Sequence, residues 1–188
     1  DLLARAADDH RFEKAVHDAL LSFRCAQDPD IENFLHSKAI EFLDRGLCSV
    51  FLLLNGELFD NGELFIEAYF TLSHKSLVAD EDTMSKSSIK KYGGFVTAKT
   101  LDFVLIGQLG KRVVKNEDGT YHRSSVTSKE VLDLAFEVIR AASSLIPCKY
   151  VLIECGDEAK VRKAYTNYGF TFFQNDGQHN QYCKRIAE

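Results

Sequence analysis

Apolar residues near the start of the chain recur at steps of three and four, at Phe12, Ala15, Val16, Ala19, Leu20 and Phe23. That is the period of an amphipathic helix with one buried face. A second stripe, Ile31, Phe34, Leu35, Ala39 and Phe42, follows Asp28-Pro29, an N-cap residue and a proline suited to the first helical position. One helix is expected there, stopping at Gly46. The period then changes. Cys48 to Leu54 and Leu64 to Leu72 are short apolar runs beside Asn55-Gly56 and Asn61-Gly62, which predicts two strands joined by a long hairpin connection. Within that connection Asn-Gly-Glu-Leu-Phe occurs twice, at 55–59 and 61–65, a repeat too short to build a repeat architecture. Residues 80–94 are polar and end in two glycines, the pattern of a surface loop with room for one helical turn.

The second half alternates. Phe103 to Leu109 reads as a strand, and Val131, Leu132, Ala135, Phe136, Val138, Ile139 and Ala142 form a broad helical face that ends before Pro147. Tyr150 to Ile153 is a buried strand, and Asp157 to Asn167 a short helix with Val161, Ala164 and Tyr165 turned inward. Phe170 to Phe173 then pairs across an Asn-Asp-Gly-Gln-His-Asn turn with Gln181 to Ile186. Two helices, two or three strands, a strand-helix-strand-helix-strand run and a closing hairpin describe an α/β sandwich around a mixed sheet.

Composition narrows the picture. The chain has 188 residues, two prolines and no linker-like run, so one domain with a substantial core is expected. Neither a signal-peptide pattern nor a run of ~18 apolar residues is present, which reads as a soluble cytoplasmic protein. The five cysteines, at 25, 48, 148, 155 and 183, form no C-x-x-C pair, and the histidines lack the spacing of a helical metal site. Buried thiols and no metal are the reading. Charge is uneven along the chain. Lys plus Arg against Asp plus Glu number 7 and 15 over residues 1–80, 9 and 6 over 81–130, and 7 and 7 over 131–188, giving the net charge of -5. An acidic protein with a basic middle argues against a broad nucleic-acid footprint and suits one compact anion, such as a nucleotide.

The pattern Ala164-Tyr165 followed by Gly169-Phe170, after a strand-helix step, resembles the GNAT N-acetyltransferase superfamily, over a span from about Phe23 to the C-terminus. The N-terminal part, FRCAQDPDIENFLHSKAI leading to AYFTLSHKSLV, is similar to the branch that includes acetyltransferase toxins of bacterial toxin-antitoxin pairs. The resemblance implies a GNAT-like α/β fold, a mixed, mostly antiparallel central sheet whose fourth and fifth strands splay apart, flanked by helices. It implies acetyl-CoA as cosubstrate. The freed backbone of the fourth strand, here Gln108, Leu109, Gly110 and Lys111, would pair with the pantetheine arm, and Gly107 and Gly110 would permit a bulge and close backbone approach. The next helix would offer its N-terminal amides to the pyrophosphate near Ser128. The family's phosphate loop has Gln or Arg, two residues, Gly, one residue, then Gly or Ala. Here Arg123, Ser124, Ser125, Val126, Thr127 and Ser128 stand in its place, with Val126 where glycine is expected. Arg123, Ser125, Val126, Thr127, Ser128 and Lys129 are therefore the candidate phosphate-loop residues. The segment before them, KRVVKNEDGTYHR, is longer than usual and suggests a hairpin insertion turning at Asp118-Gly119. An asparagine that the family often carries in the last helix falls near Glu158 or Ala159 here.

Tyr165 resembles the family tyrosine that gives a proton to the departing thiolate. A phenol with an ordinary pKa of about 10 keeps its proton at neutral pH. The backbone N–H of Leu109 or Lys111 would polarise the thioester carbonyl. Gln108 stands where several members carry a basic carboxylate, so Glu154 and His74 are the positional candidates for a general base, with a water relay as alternative. The expected function is acetyl transfer from acetyl-CoA to a primary amine of a small molecule or protein. The alternative is a non-catalytic GNAT-like binding module with an altered phosphate loop. A homodimer is compatible with the family. Neither a membrane nor a nucleic-acid partner is expected, with aminoacyl-tRNA left as an acceptor that the net charge does not exclude.

Overall fold

The computed structural model describes residues 10–80 and 82–187. Seven helices and eight strands follow along these residues. They are α1 (His10–Ser22), α2 (Pro29–Ser37), α3 (Ala39–Asp44), β1 (Ser49–Leu54), α4 (Gly56–Asp60), β2 (Ile66–Val78), α5 (Lys86–Gly93), β3 (Thr100–Lys111), β4 (Val113–Lys115), β5 (Tyr121–Arg123), α6 (Ser128–Ser143), β6 (Tyr150–Cys155), α7 (Ala159–Asn167), β7 (Thr171–Asn175) and β8 (Asn180–Arg185). Six strands hydrogen-bond in the order β1-β2-β3-β6-β8-β7, and β4 pairs with β5 separately. The sheet is mixed and mostly antiparallel: β3 runs parallel to β6, while β6 with β8 and β8 with β7 are antiparallel. The β3–β6 ladder pairs Val104 to Ile106 with Val151 to Ile153, and β3 continues past it to Lys111. Among the described residues no helix is long and apolar enough to cross a membrane.

By compactness the chain divides into two units, each with its own core. The first takes the described residues up to Thr71 together with Gln108–Val131, and the second takes Leu72–Gly107 and Leu132 onward. In the first unit Val16, Ala19 and Leu20 of α1 bury with Phe23, Leu35 and Ile66. Phe23 meets Tyr69 edge-on at 5.5 Å, and the Tyr69 hydroxyl donates to Ile31 O at 2.6 Å. Asp28 caps α2 by accepting from Asp30 N and Ile31 N, with Pro29 in the first turn, as the sequence predicts. The expected single helix is instead two. Its backbone departs from helical geometry at Lys38 (φ -120). The apolar stripe runs on through the break, so periodicity carries no sign of it. The connection between the first two strands also differs from the expected plain hairpin. Asn55 acts as an N-cap, accepting from Leu58 N, and starts the short helix α4.

In the second unit Ile89, Leu101, Phe103, Tyr150, Leu152 and Cys183 form the core. The segment expected to be a loop with one turn holds the eight-residue helix α5. Ser85 caps it by accepting from Ser88 N, Gly94 ends it at φ 84, and Ile89 anchors it with 1% exposure. β2 extends six residues beyond the expected end at Leu72, because its outer half alternates half-buried and exposed residues instead of forming an apolar run.

Candidate functional site

In the first unit the end of β3 leads through the β4–β5 hairpin to the start of α6. The hairpin turns where the sequence predicts: Asn116 N donates to Thr120 O at 2.9 Å, and Gly119 has φ 83. On β3, Gln108 N donates to Thr71 Oγ1 at 2.9 Å. Gly110 is buried, and a Cβ there would lie 2.2 Å from Ile31 Cγ2 and 3.1 Å from Tyr69 Cε1. The close approach that this glycine permits is therefore to α2 and Tyr69, inside the unit's own core. Lys111 Nζ donates to Val126 O at 3.0 Å, which ties the strand end to the loop before α6.

The cationic segment divides. Arg112 points inward, with its guanidinium donating to Ile66 O and Ser22 O and lying 4.2 Å from the centre of the Phe65 ring. Burial pulls its pKa below the usual arginine range. Arg123, at the end of β5, and Lys129, in the first turn of α6, are exposed. Positive side chains are unfavourable at the positive end of a helix dipole, and a bound anion would offset that repulsion.

The loop between them is organised by its own side chains. Ser124 N donates to Arg112 O, and Ser124 Oγ accepts from Val126 N at 3.1 Å. Glu130 Oε2 accepts from Thr127 N at 2.6 Å and from Thr127 Oγ1 at 2.7 Å, while Glu130 N donates back to Thr127 Oγ1 at 3.2 Å. This is a capping box. Thr127 is thus the N-cap of α6, with its hydroxyl engaged by Glu130, a residue that the phosphate-loop pattern does not single out. No described residue other than glycine has positive φ, so Val126 takes ordinary backbone geometry and does not need the freedom of glycine. Arg123 ends β5, Ser125, Val126 and Thr127 lie in the capped turn, Ser128 and Lys129 open α6, and Leu109 lies on β3 between Gln108 and Gly110.

In the second unit α7 ends in a motif that explains the Tyr-x-x-x-Gly-Phe spacing. Gly169 N donates to Thr166 O and Phe170 N donates to Tyr165 O, both at 3.0 Å, with Gly169 at φ 96. This is the Schellman arrangement, completed by an apolar contact across the end. The rings of Phe170 and Tyr165 meet edge-on at 6.0 Å. The half-buried Tyr165 is thereby fixed through its carbonyl and its ring, and the motif does not use its hydroxyl. Val161 and Ala164 are likewise half-buried, less enclosed than the inward face predicted for them.

Tyr168, which the sequence does not mark out, donates to Asp133 Oδ1 at 2.8 Å and so ties α7 to α6. Burial, then the hydrogen bond to and charge of Asp133, push its pKa above the usual phenol value. Lys184 Nζ donates to Tyr168 O and lies 4.6 Å from the centre of its ring. Glu158 occupies the N-cap of α7 without a side-chain cap bond. The candidate bases are both engaged. His74 Nε2 is 3.5 Å from Asp102 Oδ1, and Glu154 accepts from Lys75 and Gln181. A charged residue within the apolar run Tyr-Val-Leu-Ile-Glu-Cys is the one sequence signal for the Glu154 cluster.

The chain matches no known protein-family profile, and no curated protein sequence matches it. Solved structures do match it. A tyrosine-to-phenylalanine variant of KacT superposes with TM-score 0.68 and 16% identity, over 89% of this chain and 88% of that one. AtaTR bound with AcCoA gives 0.67 and 18%, over 89% and 87%. AtaT complexed with acetyl-methionyl-tRNAfMet gives 0.66 and 18%, over 89% and 88%. The chain therefore shares the fold of AtaT and KacT, α/β with a mixed, mostly antiparallel sheet.

Proposed function

We propose that this protein is an acetyl-CoA-dependent N-acetyltransferase, a single acetyltransferase-like domain whose acceptor is the α-amine of an aminoacyl-tRNA. The observation that carries the reading is the fold shared over 89% of the chain with structures that include AtaT with acetyl-methionyl-tRNAfMet and AtaTR with AcCoA. In this reading Gln108, Leu109, Gly110 and Lys111 pair with the cofactor arm, and the segment from Arg123 to Lys129 receives its phosphates. A neutral amine attacks the thioester carbonyl, a β3 backbone N–H at Leu109 or Lys111 steadies the oxyanion, the nitrogen gives up its proton to a water relay as the C–S bond breaks, and Tyr165 protonates the departing thiolate and is reprotonated from water. The Schellman closure of α7 supports that role because it fixes the position of the Tyr165 ring against Phe170.

Local charge favours the tRNA acceptor more than the net charge of -5 does. Helix α5 exposes Lys86, Lys90 and Lys91 and carries no acidic residue, and the nearby Phe95 is 75% exposed. Lysines contact phosphates, and an aromatic face can stack on an unpaired base. The deciding experiment is incubation with acetyl-CoA and methionyl-tRNA, alkaline hydrolysis and mass spectrometry of the released amino acid. N-acetyl-methionine is the expected product. Acetyl-CoA binding without that product would move the acceptor to another amine, and no acetyl-CoA binding would leave a non-catalytic module.

A further inference from the structure

Leu77 on β2, Leu105 on β3, Leu152 on β6 and Cys183 on β8 pack in one cluster of the second unit and so share a face of its sheet. Side chains alternate along a strand, which puts Lys75, Gly107, Glu154 and Gln181 next on that same face. Leu152 pairs with Cys183 and Glu154 with Gln181, in agreement. Here the face turns polar. Lys75 Nζ donates to Glu154 Oε1 at 2.6 Å. Gln181 Nε2 donates to the same oxygen at 2.6 Å and to Asp176 Oδ2 at 3.2 Å, while Gln174 Nε2 donates to Gln181 Oε1 at 2.8 Å. Strand β3 separates β2 from β6, so the ion pair bridges roughly 10 Å of sheet. Gly107 carries no side chain to obstruct it.

The cluster is held rigidly and its charge does not balance. Gln181 is 1% exposed, and two carboxylates, the mostly buried Glu154 and the exposed Asp176, face a single lysine. Asp176 is itself fixed, since its Oδ1 accepts from Gln178 N and His179 N. Glu154 is mostly buried, and among the described residues its second oxygen accepts no hydrogen bond. A fixed, poorly hydrated carboxylate oxygen beside excess negative charge suits a small cation that donates hydrogen bonds. We infer that Glu154, oriented by Lys75 and Gln181, docks the ammonium form of the acceptor amine. The choice of an amine as ligand rests on the acetyltransferase reading. Glu154 receives the amine on arrival, and the later loss of its proton is a separate event.

The side-chain amide of Gln181 bonds directly to Glu154, which makes it a reporter. The full chain, labelled with ¹⁵N, is titrated with L-methioninamide and, in parallel, with N-acetyl-L-methioninamide, which lacks the ammonium. A saturable shift of the Gln181 side-chain amide with the first ligand alone is expected. Glu154→Gln should weaken that binding by about ten-fold or more, and Lys75→Met, which removes the resident cation, should tighten it. An unmoved Gln181 amide, equal shifts with both ligands, or unchanged or weaker binding by Lys75→Met would overturn the inference. Should Glu154→Gln fail to fold, the two ligands on the unsubstituted protein still decide. Acetyl-CoA binding, measured separately by calorimetry, shows whether the parent reading stands.

Discussion

The start of α6 and the end of α7 both leave backbone groups that a helix cannot satisfy internally, yet they close by different means. At the end of α7 the backbone does the work: Gly169 at φ 96 turns the chain so that the amides of Gly169 and Phe170 reach back to Thr166 and Tyr165. At the start of α6 side chains do it, with Thr127 and Glu130 bonding each other's backbone. The difference has a functional side. The Schellman closure draws on Tyr165 only through its carbonyl and ring, whereas the capping box spends Thr127 and places a carboxylate where the proposed phosphates are to bind. In the proposed site, the first arrangement positions a ring, and the second sets a carboxylate against its ligand.

The largest effect is expected from Tyr165→Phe, which keeps the ring that packs on Phe170 and deletes the proposed proton. Single-turnover acetylation of methionyl-tRNA should slow by about 10²-fold to 10⁴-fold, with little change in urea midpoint. Unchanged chemistry would reduce Tyr165 to a packing residue. Gly169→Ala attacks the closure itself. A side chain at φ 96 is strained, and its Cβ would lie 2.9 Å from Lys184 Nζ, so a stability loss of about 1–2 kcal/mol is expected in urea denaturation. A neutral result would mean that the motif is not what holds the end of α7.

At the other helix end, replacing Arg123 and Lys129 together with Gln should weaken CoA by about ten-fold while leaving a truncated pantetheine unaffected. Equal losses would remove phosphate recognition from the loop. The smallest effect is the most specific to this sequence. Glu130→Gln removes the charge that competes with a phosphate, so acetyl-CoA affinity should rise by about two-fold to five-fold, while α6 loses up to about 1 kcal/mol of capping and dipole stabilisation. Weaker acetyl-CoA binding by this variant would show that the capping box helps to build the site.

What could be read from the sequence follows from where the physics leaves a mark on residue type. Gly169 and Phe170 are legible because a left-handed position strongly favours glycine, and the same holds for Gly119 in the β4–β5 turn. Asp28 and Pro29 mark α2 for a related reason: few residue types suit a cap and a first helical position. The break at Lys38 leaves no mark, since Phe34, Leu35 and Ala39 keep the stripe intact across it. Asn55-Gly56 misleads because asparagine serves a hairpin turn and an N-cap equally well, and only the folded chain, where Asn55 accepts from Leu58 N, decides. In the proposed site, the resemblance names Tyr165 and the loop, and it does not name Glu130. A Thr-x-x-Glu pattern at 127 to 130 announces a cap, and nothing in it announces competition with a phosphate. The Lys75–Glu154–Gln181 cluster spans β2, β3, β6 and β8 in register, so apart from the lone Glu154 in its apolar run no local pattern marks it.

The most direct measurement is hydrogen exchange on the full chain with and without acetyl-CoA. In the proposed site the cofactor arm pairs with the backbone of Gln108, Leu109, Gly110 and Lys111, beyond the last β3–β6 register pair at Ile106 and Ile153. Because Gln108 N already donates to Thr71 Oγ1, acetyl-CoA should slow exchange at the amides of Leu109, Gly110 and Lys111 more than at Tyr150 to Ile153, which already lie in the ladders with β3 and β8. Equal protection of the two segments, or none at residues 109–111, would contradict the acetyl-CoA site.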